Sequence, residues 1–357
     1  MRQDFVDRLE LELRAAAERQ ARRGLAFGTL RVARRQLLAP AIAAVGVVII
    51  AIVLAATALR SDETTPAQPG PKLVADTHLV SAGGSLASGF GAVWVADTAS
   101  GRVLRLDPRT RAVEARIPLG GEAWVDTAAG SVWALGRDRL LRIDPSSNRV
   151  VASIGALRAA PGEILEGGGA VWIAYPDALI RIDPRRNVVT RTLPTSRAGY
   201  YNVGAVSDGR ILYLARRDGR LLRIDARTGK VLSAVRAPEL AQGRPIDAVG
   251  TLLGVADGTV FMIGKTGVVA VDAATGRTRW SRDLRADGVG NGTLASATLW
   301  VHATDGATHR DRLWRLDART GHVTGSIGLP EFGASGMAAV GKQVWTMSTG
   351  GDLQVAR

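Results

Sequence analysis

The sequence predicts an all-β protein, a seven-bladed β-propeller of four-stranded blades, preceded by one transmembrane helix and a short N-terminal helix. Three observations lead to this prediction. A phrase of the form LRLDPRT recurs six times, an aromatic residue stands ahead of each copy, and an uncharged apolar run precedes them all. A period near 40 residues, made of short apolar strands and turn residues, is typical of propeller blades. The repeated aspartates are Asp107, Asp144, Asp183, Asp225, Asp272 and Asp317.

Each repeat divides into four strand-length pieces. In the first complete copy, residues 85–120, these are SLAS, AVWVA, RVLRLD and AVEARIPL, separated by Gly, Asp and Pro. The second strand carries an aromatic residue that we expect to fill the space between neighbouring blades, as core and not as a ligand cage. These residues are Trp94, Trp133, Trp172, Tyr213, Phe261, Trp300 and Trp345.

The last repeat, which contains the seventh aromatic residue, Trp345, ends at the chain terminus after its third strand. We expect residues 72–80 to supply the fourth, so that residues 74–80 hydrogen-bond to residues 351–356 and close the ring. Closure hides the strand edges that a linear array of blades would expose.

The aspartates are expected to open tight turns, with each carboxylate accepting N–H bonds from its own turn. The residue four positions later is Gly or Asn in five of six copies, which suits a left-handed backbone. These positions are Arg111, Asn148, Asn187, Gly229, Gly276 and Gly321. A calcium site is the alternative, but no copy has the D-x-D-x-D ladder of a binding loop.

Residues 37–59 form the uncharged apolar run, 23 residues long. As a helix they extend about 35 Å, enough to cross a hydrocarbon core of about 30 Å. Arg31, Arg34 and Arg35 precede the run, so the positive-inside rule places residues 1–36 in the cytoplasm and the propeller outside. A cleaved signal peptide is the alternative, since residues 56–58 read Ala-Thr-Ala. The long charged segment ahead and the length of the run favour an uncleaved single-pass anchor in the cell membrane.

The segments around this run complete the domain organisation. Residues 1–36 are a basic stub in which residues 4–22 show helical periodicity. This helix either docks a cytoplasmic partner or, as we favour, lies against anionic lipid beside the anchor. Residues 60–71 are a Pro-rich linker, and residues 72–357 form the extracytoplasmic propeller.

Composition excludes several functions. The chain has no cysteine, which rules out disulfides, thiolate metal sites and a cysteine nucleophile, and its four histidines show no metal-ligand spacing. Its formal net charge is +13, with 42 arginines against four lysines. The arginines recur around the repeats without clustering among aromatic residues, so we predict no nucleic-acid partner. We also predict no cofactor and no metal site.

The stretch GAVWVADTASGRVLRLDPRTRAVEARIPLG resembles the repeat of YVTN-type and virginiamycin B lyase-like seven-bladed propellers. Residues 268–281, VVAVDAATGRTRWS, resemble the repeat of pyrroloquinoline-quinone-like (PQQ-like) propellers. The resemblance covers about residues 72–357 and implies the fold. It also implies that a lyase would carry a glutamate after the aromatic strand and a Glu/His metal set. The segments WVAD and WVHA offer Asp97 and His302 instead, which argues against lyase chemistry.

Ligands of propellers bind where loops converge around the axis, so polar and aromatic residues in those loops are the candidate site. They are Asp97, Glu122, Trp124, Glu163, Tyr175, Asp177, Tyr200, Tyr201, Arg244, Asp247, Lys265, Asn291, His302, His309 and Glu331. No catalytic triad stands out among them. We therefore expect a non-enzymatic, membrane-tethered module that binds a cell-envelope ligand or a partner protein, as a sensor or scaffold. The alternative is an extracytoplasmic lyase, lactonase or quinoprotein-type enzyme with its site at the propeller axis.

Overall fold

The described part of the chain forms seven four-stranded antiparallel sheets. The structure is a computed structural model and describes residues 70–121, 123–155, 157, 162–195, 202–237, 252–264, 266–330 and 333–357. These residues contain no helix, and none of them forms a helix able to cross a membrane. The predicted N-terminal helix and the predicted anchor at residues 37–59 lie outside the described residues.

Each blade runs from an inner strand at the axis to an outer strand at the rim. Blades 1 and 2 comprise β2 (Leu86–Gly89), β3 (Ala92–Asp97), β4 (Arg102–Leu106), β5 (Val113–Pro118), β6 (Ala123–Ala128), β7 (Ser131–Gly136), β8 (Leu140–Asp144) and β9 (Arg149–Ile154). Blades 3 and 4 comprise β10 (Glu163–Gly167), β11 (Ala170–Ala174), β12 (Ala178–Asp183), β13 (Val188–Pro194), β14 (Asn202–Ser207), β15 (Ile211–Arg216), β16 (Arg220–Asp225) and β17 (Val231–Arg236). The four pieces predicted for residues 85–120 are confirmed in β2 to β5.

The remaining blades follow the same order. Blades 5 and 6 comprise β18 (Leu252–Ala256), β19 (Thr259–Ile263), β20 (Gly267–Asp272), β21 (Thr278–Asp283), β22 (Ala286–Ala295), β23 (Thr298–Asp305), β24 (Asp311–Asp317) and β25 (Val323–Gly328). Blade 7 comprises β26 (Ala334–Val340), β27 (Gln343–Ser348), β28 (Asp352–Ala356) and β1 (Leu73–His78). Two turns of each blade lie at the same end of the ring: the turn from the inner to the second strand and the turn from the third to the outer strand. We call this end the lower end. The opposite end is the upper end.

The ring closes as predicted, with the first strand completing the last blade. Strand β1 pairs antiparallel with β28, in a register that sets Thr77 opposite Leu353 and His78 opposite Asp352. Backbone bonds from Leu79 N to Gly351 O, 3.0 Å, and from Lys72 N to Arg357 O, 2.9 Å, extend the pairing at both ends. No blade of the described ring is therefore left with three strands.

The predicted aromatic residues are all buried, and each belongs to a different apolar cluster between two neighbouring blades. Trp94, for example, packs against Val125 and Val132 of blade 2. The indole N–H groups find acceptors: Trp133 Nε1 donates to Ala128 O at 2.9 Å, and Trp172 Nε1 donates to Ala226 O at 3.1 Å. Burial of flat, satisfied aromatic side chains thus holds the sheets face to face.

The aspartate turns are also confirmed. Asp107 Oδ1 accepts the N–H groups of Arg109 and Thr110 at 2.8 and 2.7 Å, and Asp183 Oδ1 accepts those of Arg185 and Arg186. These N–H bonds hold the pKa of both carboxyls below the ordinary value. All six residues four positions after the aspartates have positive φ, and Arg111 adopts it at 66° without being Gly or Asn.

An arginine on the third strand ties one blade to the next. The guanidinium of Arg142 lies 5.6 Å from the centre of the Trp133 ring and donates to Pro184 O at 2.5 Å and to Asn187 Oδ1 at 3.2 Å. Both acceptors belong to the aspartate turn of blade 3. Arg105 repeats the arrangement toward the turn of blade 2. Part of the arginine content therefore has a structural role that composition did not show.

A disulfide across the closure is expected to stabilise the ring. In His78→Cys/Asp352→Cys, the two residues stand opposite each other in adjacent strands, in a chain that has no other cysteine. Oxidation should raise the unfolding midpoint by tying the ends of the ring, by up to about 5 kcal/mol in a chain-entropy estimate. Thermal unfolding with and without reductant measures this, and the single variant His78→Cys is the control. Equal midpoints for oxidised and reduced protein would contradict the observed closure.

Arg142→Lys is expected to destabilise the protein by about 1–3 kcal/mol, because lysine has neither the planar fork nor the stacking surface of arginine. Chemical denaturation of the full chain provides the measurement. The matched control is Arg137→Lys, an exposed arginine at the upper end of the same blade, which should change little. Similar losses of stability in the two variants would show that the contacts of Arg142 with Trp133 and with the turn of blade 3 contribute nothing specific.

Candidate functional site

The inner strands of all seven blades surround a central channel with a volume of about 940 Å³. Small residues and short strands keep it open: the Gly167–Gly169 run of blade 3 and Gly254 of blade 5 lie on its wall. Inner strands begin at the upper end, so their first residues form the mouth of the channel there. This channel is the place where side chains from every blade come together.

The channel is acidic in a strongly basic protein. Among the described residues that line it, the charged ones are Asp126, Glu163 and Glu166, while the whole chain carries a formal charge of +13. A cleft lined by one sign of charge focuses the field and raises the local concentration of opposite charge. A lining whose charged groups are all acidic favours cations over anions.

Asp126 and Glu163 are carboxyls with strongly raised pKa values. Burial within the ring raises the pKa of Asp126 to about 7, although the N–H bond from Thr127 at 2.7 Å acts to lower it. Burial raises the pKa of Glu163 to about 8, opposed by an N–H bond from Ala205 and reinforced by the charge of Asp126. Both side chains keep a part of their surface open to the channel. Near neutral pH the two groups titrate as a coupled pair, and a nearby cation would favour their ionised forms.

Strand register shows how these groups are arranged. Asp126 stands opposite Trp133 and Leu165 opposite Trp172, so Trp124 and Glu163 occupy the same level of neighbouring inner strands. Trp124 is 43% exposed at this level, next to the channel mouth. An exposed indole beside two carboxyls is a suitable environment for an organic cation, which gains both charge pairing and a cation–π contact.

Glu166 has a structural contact at the lower end of the channel. Its Oε2 accepts the N–H of Ala129 of blade 2 at 2.9 Å. Ser207 Oγ of blade 4 donates to Glu166 O at 2.6 Å. Hydrogen bonds thus join blade 3 to blades 2 and 4 at this end of the channel.

Of the residues predicted for the site, the structure brings Trp124, Glu163 and Asn291 to the channel wall. Asn291 lies beside a bulge in β22, where its Oδ1 accepts the N–H of Gly292 at 2.8 Å. The other described candidates are not among the channel-lining residues. Glu122, Tyr200, Tyr201, Arg244, Asp247, Lys265 and Glu331 lie outside the described residues.

Two predicted candidates support turns at the upper end. Asp97 is buried, accepts Arg102 Nε at 2.9 Å and Ser100 N at 3.2 Å, and so closes the β3–β4 turn. Asp177 lies in the β11–β12 turn, where its carbonyl accepts the N–H of Thr195 at 2.9 Å. Tyr175, at the start of that turn, is buried.

The two predicted histidines belong to blade 6. His302 is buried with Nε2 2.8 Å from Asp311 Oδ2, and Asp311 also accepts the N–H of Gly333 and the hydroxyl of Thr304. Burial works to raise the pKa of Asp311, but these bonds and the His302 contact outweigh it and lower that pKa. His309 has φ 53°, four residues after Asp305, so its loop contains a further aspartate turn. Its Nδ1 lies 2.5 Å from Asp287 Oδ2.

Sequence reasoning missed Asp126 and Glu166 because it considered loops and treated inner strands as repetitive. A clear indication was present. Each aromatic residue of a second strand is preceded, seven positions earlier, by the inner-strand residue that pairs with it. Among these seven inner-strand residues, Asp126 is the only charged one. The others are Ala87, Leu165, Val206, Gly254, Thr293 and Ala338. Within the described residues, no group of three His, Cys, Asp or Glu is placed to hold a metal ion.

Comparison with known proteins supports the fold. A family model of PQQ-like repeats, described as outer membrane protein assembly factor BamB, matches residues 217–356, from the second half of blade 4 onward. The crystal structure of BamB from Moraxella catarrhalis superposes with a TM-score of 0.57 at 15% identity, covering 80% of this chain and 99% of that one. The computationally designed Ika8 protein gives 0.55 at 12% identity, covering 78% and 99%. No curated protein matches the sequence significantly.

These matches support the resemblance to PQQ-like repeats. At 12–15% identity the structural likeness shows the fold alone. The resemblance to YVTN-type and virginiamycin B lyase-like repeats stays a prediction.

The carboxyl pair is expected to make stability fall as the pH rises. Since the folded pKa values of Asp126 and Glu163 lie above those of the unfolded chain, the folded state holds protons that the unfolded state releases. Their contribution is present below about pH 4 and is lost as the pH rises through about 7 to 8. The free energy of unfolding of Asp126→Asn/Glu163→Gln should therefore rise relative to that of the wild type as the pH increases, by on the order of 2 kcal/mol.

Denaturant titrations between pH 5 and pH 9 would measure this difference. The control is Asp138→Asn, an exposed aspartate whose pKa is lowered by the hydrogen bond from Arg139, so that its effect falls below pH 4. A constant difference between the wild type and the double variant across this range would refute the raised pKa values.

Proposed function

We propose that this protein is a membrane-tethered, extracytoplasmic binding module whose acidic channel mouth receives a cationic group from an envelope ligand or partner protein. The observation that carries the proposal is the reversal of charge at the axis. The charged lining residues Asp126, Glu163 and Glu166 are all acidic in a chain of net charge +13.

The channel mouth has the chemistry to hold an ammonium or guanidinium group. Burial raises the pKa of both carboxyls, and the charge of Asp126 raises that of Glu163 further, so ionising them without a nearby cation is unfavourable. A cation between them relieves that cost and drives the release of their protons. Trp124 offers an aromatic face at the same level. The basic exterior disfavours binding elsewhere, which favours this location.

Placement outside the membrane rests on the sequence. The predicted anchor at residues 37–59 and the Pro-rich linker lead to the first described residue, Gly70. The matching family is named for an outer membrane protein assembly factor, which fits a module that binds protein partners at a membrane. We extend that binding role, as scaffold or sensor, to this chain.

The second candidate function is an enzyme, a lyase or lactonase, acting at the same place. One observation favours it: carboxyls with pKa values of about 7 and about 8 are suited to general acid–base catalysis near neutral pH. Turnover of a candidate substrate that is abolished by Glu163→Gln would establish this function in place of pure binding.

Calorimetric titration of the full chain in detergent with hexa-arginine tests the binding proposal. Binding at pH 7.5 should release protons, seen as a dependence of the heat on the buffer, because the cation lowers the pKa values of the pair. Asp126→Asn/Glu163→Gln should weaken binding about tenfold or more, equivalent to about 1.4 kcal/mol, and Trp124→Ala by a few-fold.

Two controls make this test specific. Hexa-glutamate should not bind, and Glu114→Gln, a change at an exposed acid on the rim of blade 1, should leave the affinity for hexa-arginine unchanged. Equal affinity of the wild type and the channel variant would overturn the proposal.

A further inference from the structure

Exposed aliphatic side chains concentrate on one arc of the rim. Three consecutive outer strands, β9, β13 and β17, each carry two exposed apolar residues among their first three positions. We call this set the valine rim: Val150, Val151, Val188, Val189, Val231 and Leu232. These residues directly follow the aspartate turns, so the valine rim lies toward the lower end of blades 2 to 4. Phe90, 44% exposed with φ 55°, lies in the β2–β3 turn at the same end.

The fold does not require apolar residues there. In blade 5 the equivalent positions are occupied by Thr278 and Arg279, which the same outer-strand geometry accepts. Each outer strand has a bulge at this place, which breaks the regular edge and disfavours addition of a partner strand. Exposed apolar side chains grouped on three consecutive outer strands mark an interaction surface.

Basic side chains surround the valine rim. They are Arg149, Arg185, Arg186, Arg227 and Lys230, all exposed. The acidic residues of the same turns are engaged locally: Asp183 and Asp225 accept N–H bonds from their own turns, which lower their pKa values. Those carboxylates stay ionised, but the basic residues outnumber them, so the net charge is positive and the surface combines aliphatic and cationic groups.

We propose that the valine rim rests on an anionic lipid surface. Aliphatic side chains flanked by arginines match the boundary between lipid headgroups and acyl chains, as in interfacial membrane proteins. The position of the chain entry points to the same partner. Outer strands run from the lower to the upper end, so β1 begins at the lower end, and a groove there is lined by Gly70, Ser296 and Gly341.

The described chain thus begins at Gly70, at the end of the ring that carries the valine rim. This inference rests on the proposed membrane tethering, since the predicted anchor would bring the bilayer close to that end. A protein partner fits less well, because the rim is an outer surface whose strand edges are interrupted by bulges.

Hydrogen exchange on the full chain reconstituted in vesicles tests the proposal. Peptides covering β9, β13 and β17 should exchange about threefold or more slowly in phosphatidylcholine–phosphatidylglycerol vesicles than in phosphatidylcholine alone. High salt should remove the difference, because it screens the basic side chains from the headgroups. Val151→Thr/Val189→Thr/Leu232→Thr and Arg185→Gln/Arg186→Gln should each lose the protection. Arg137→Gln/Arg139→Gln, at the upper end, should keep it.

The outcomes separate this inference from the proposed function. Flotation of the full chain with both kinds of vesicle, without slower exchange at the valine rim, overturns the lipid contact and leaves the tethering and the channel intact. Failure to float with either kind overturns both the tethering and the lipid contact. Protection that rises with protein concentration and ignores lipid charge would assign the rim to a protein interface instead.

Discussion

The pairing of β1 with β28 is the contact on which the rest of the structure depends. Every other blade takes its four strands from one continuous stretch, whereas blade 7 joins residues near Leu73 to residues near Ala356. Without this pairing, blade 7 would consist of β26, β27 and β28 alone, and its outer edge would be exposed. Blade 7 also packs against blade 1, so that the inner strands of all seven blades surround the central channel. The proposed binding at the axis therefore takes place in a ring whose first and last strands are paired.

Between blades, the same few interactions recur. An aromatic residue fills each gap, and arginines such as Arg105 and Arg142 stack on it and bind the turn of the next blade. Because these contacts use the faces and lower turns of the blades, they leave the inner edges free to vary. Blades 2 and 3 use that freedom to place carboxyls and Trp124 on the channel, which no packing contact demands.

The two proposed surfaces lie at opposite ends of the ring. The channel mouth, with Trp124 and Glu163, opens at the upper end, and the valine rim lies toward the lower end, where β1 begins. A tether and a lipid contact at one end would leave the other open to a ligand. The distribution of charge fits this division, since arginines surround the rim and carboxylates line the axis. One basic protein thus presents an acidic channel at one end and a basic, aliphatic rim toward the other.

The sequence by itself determined the seven blades, the strand order, the aspartate turns, the buried aromatic residues and the closure. All of these follow from local periodicity and turn chemistry, which repeat about every 40 residues and need no knowledge of distant contacts. Only the tertiary structure decided which polar residues meet. Asp97 and Glu163 both appeared as candidates, yet Asp97 closes a turn while Glu163 faces Asp126 across a blade boundary. That difference depends on side-chain direction and on burial between separate repeats, because a pKa is raised by desolvation and by neighbouring charge that only the packing of adjacent blades supplies.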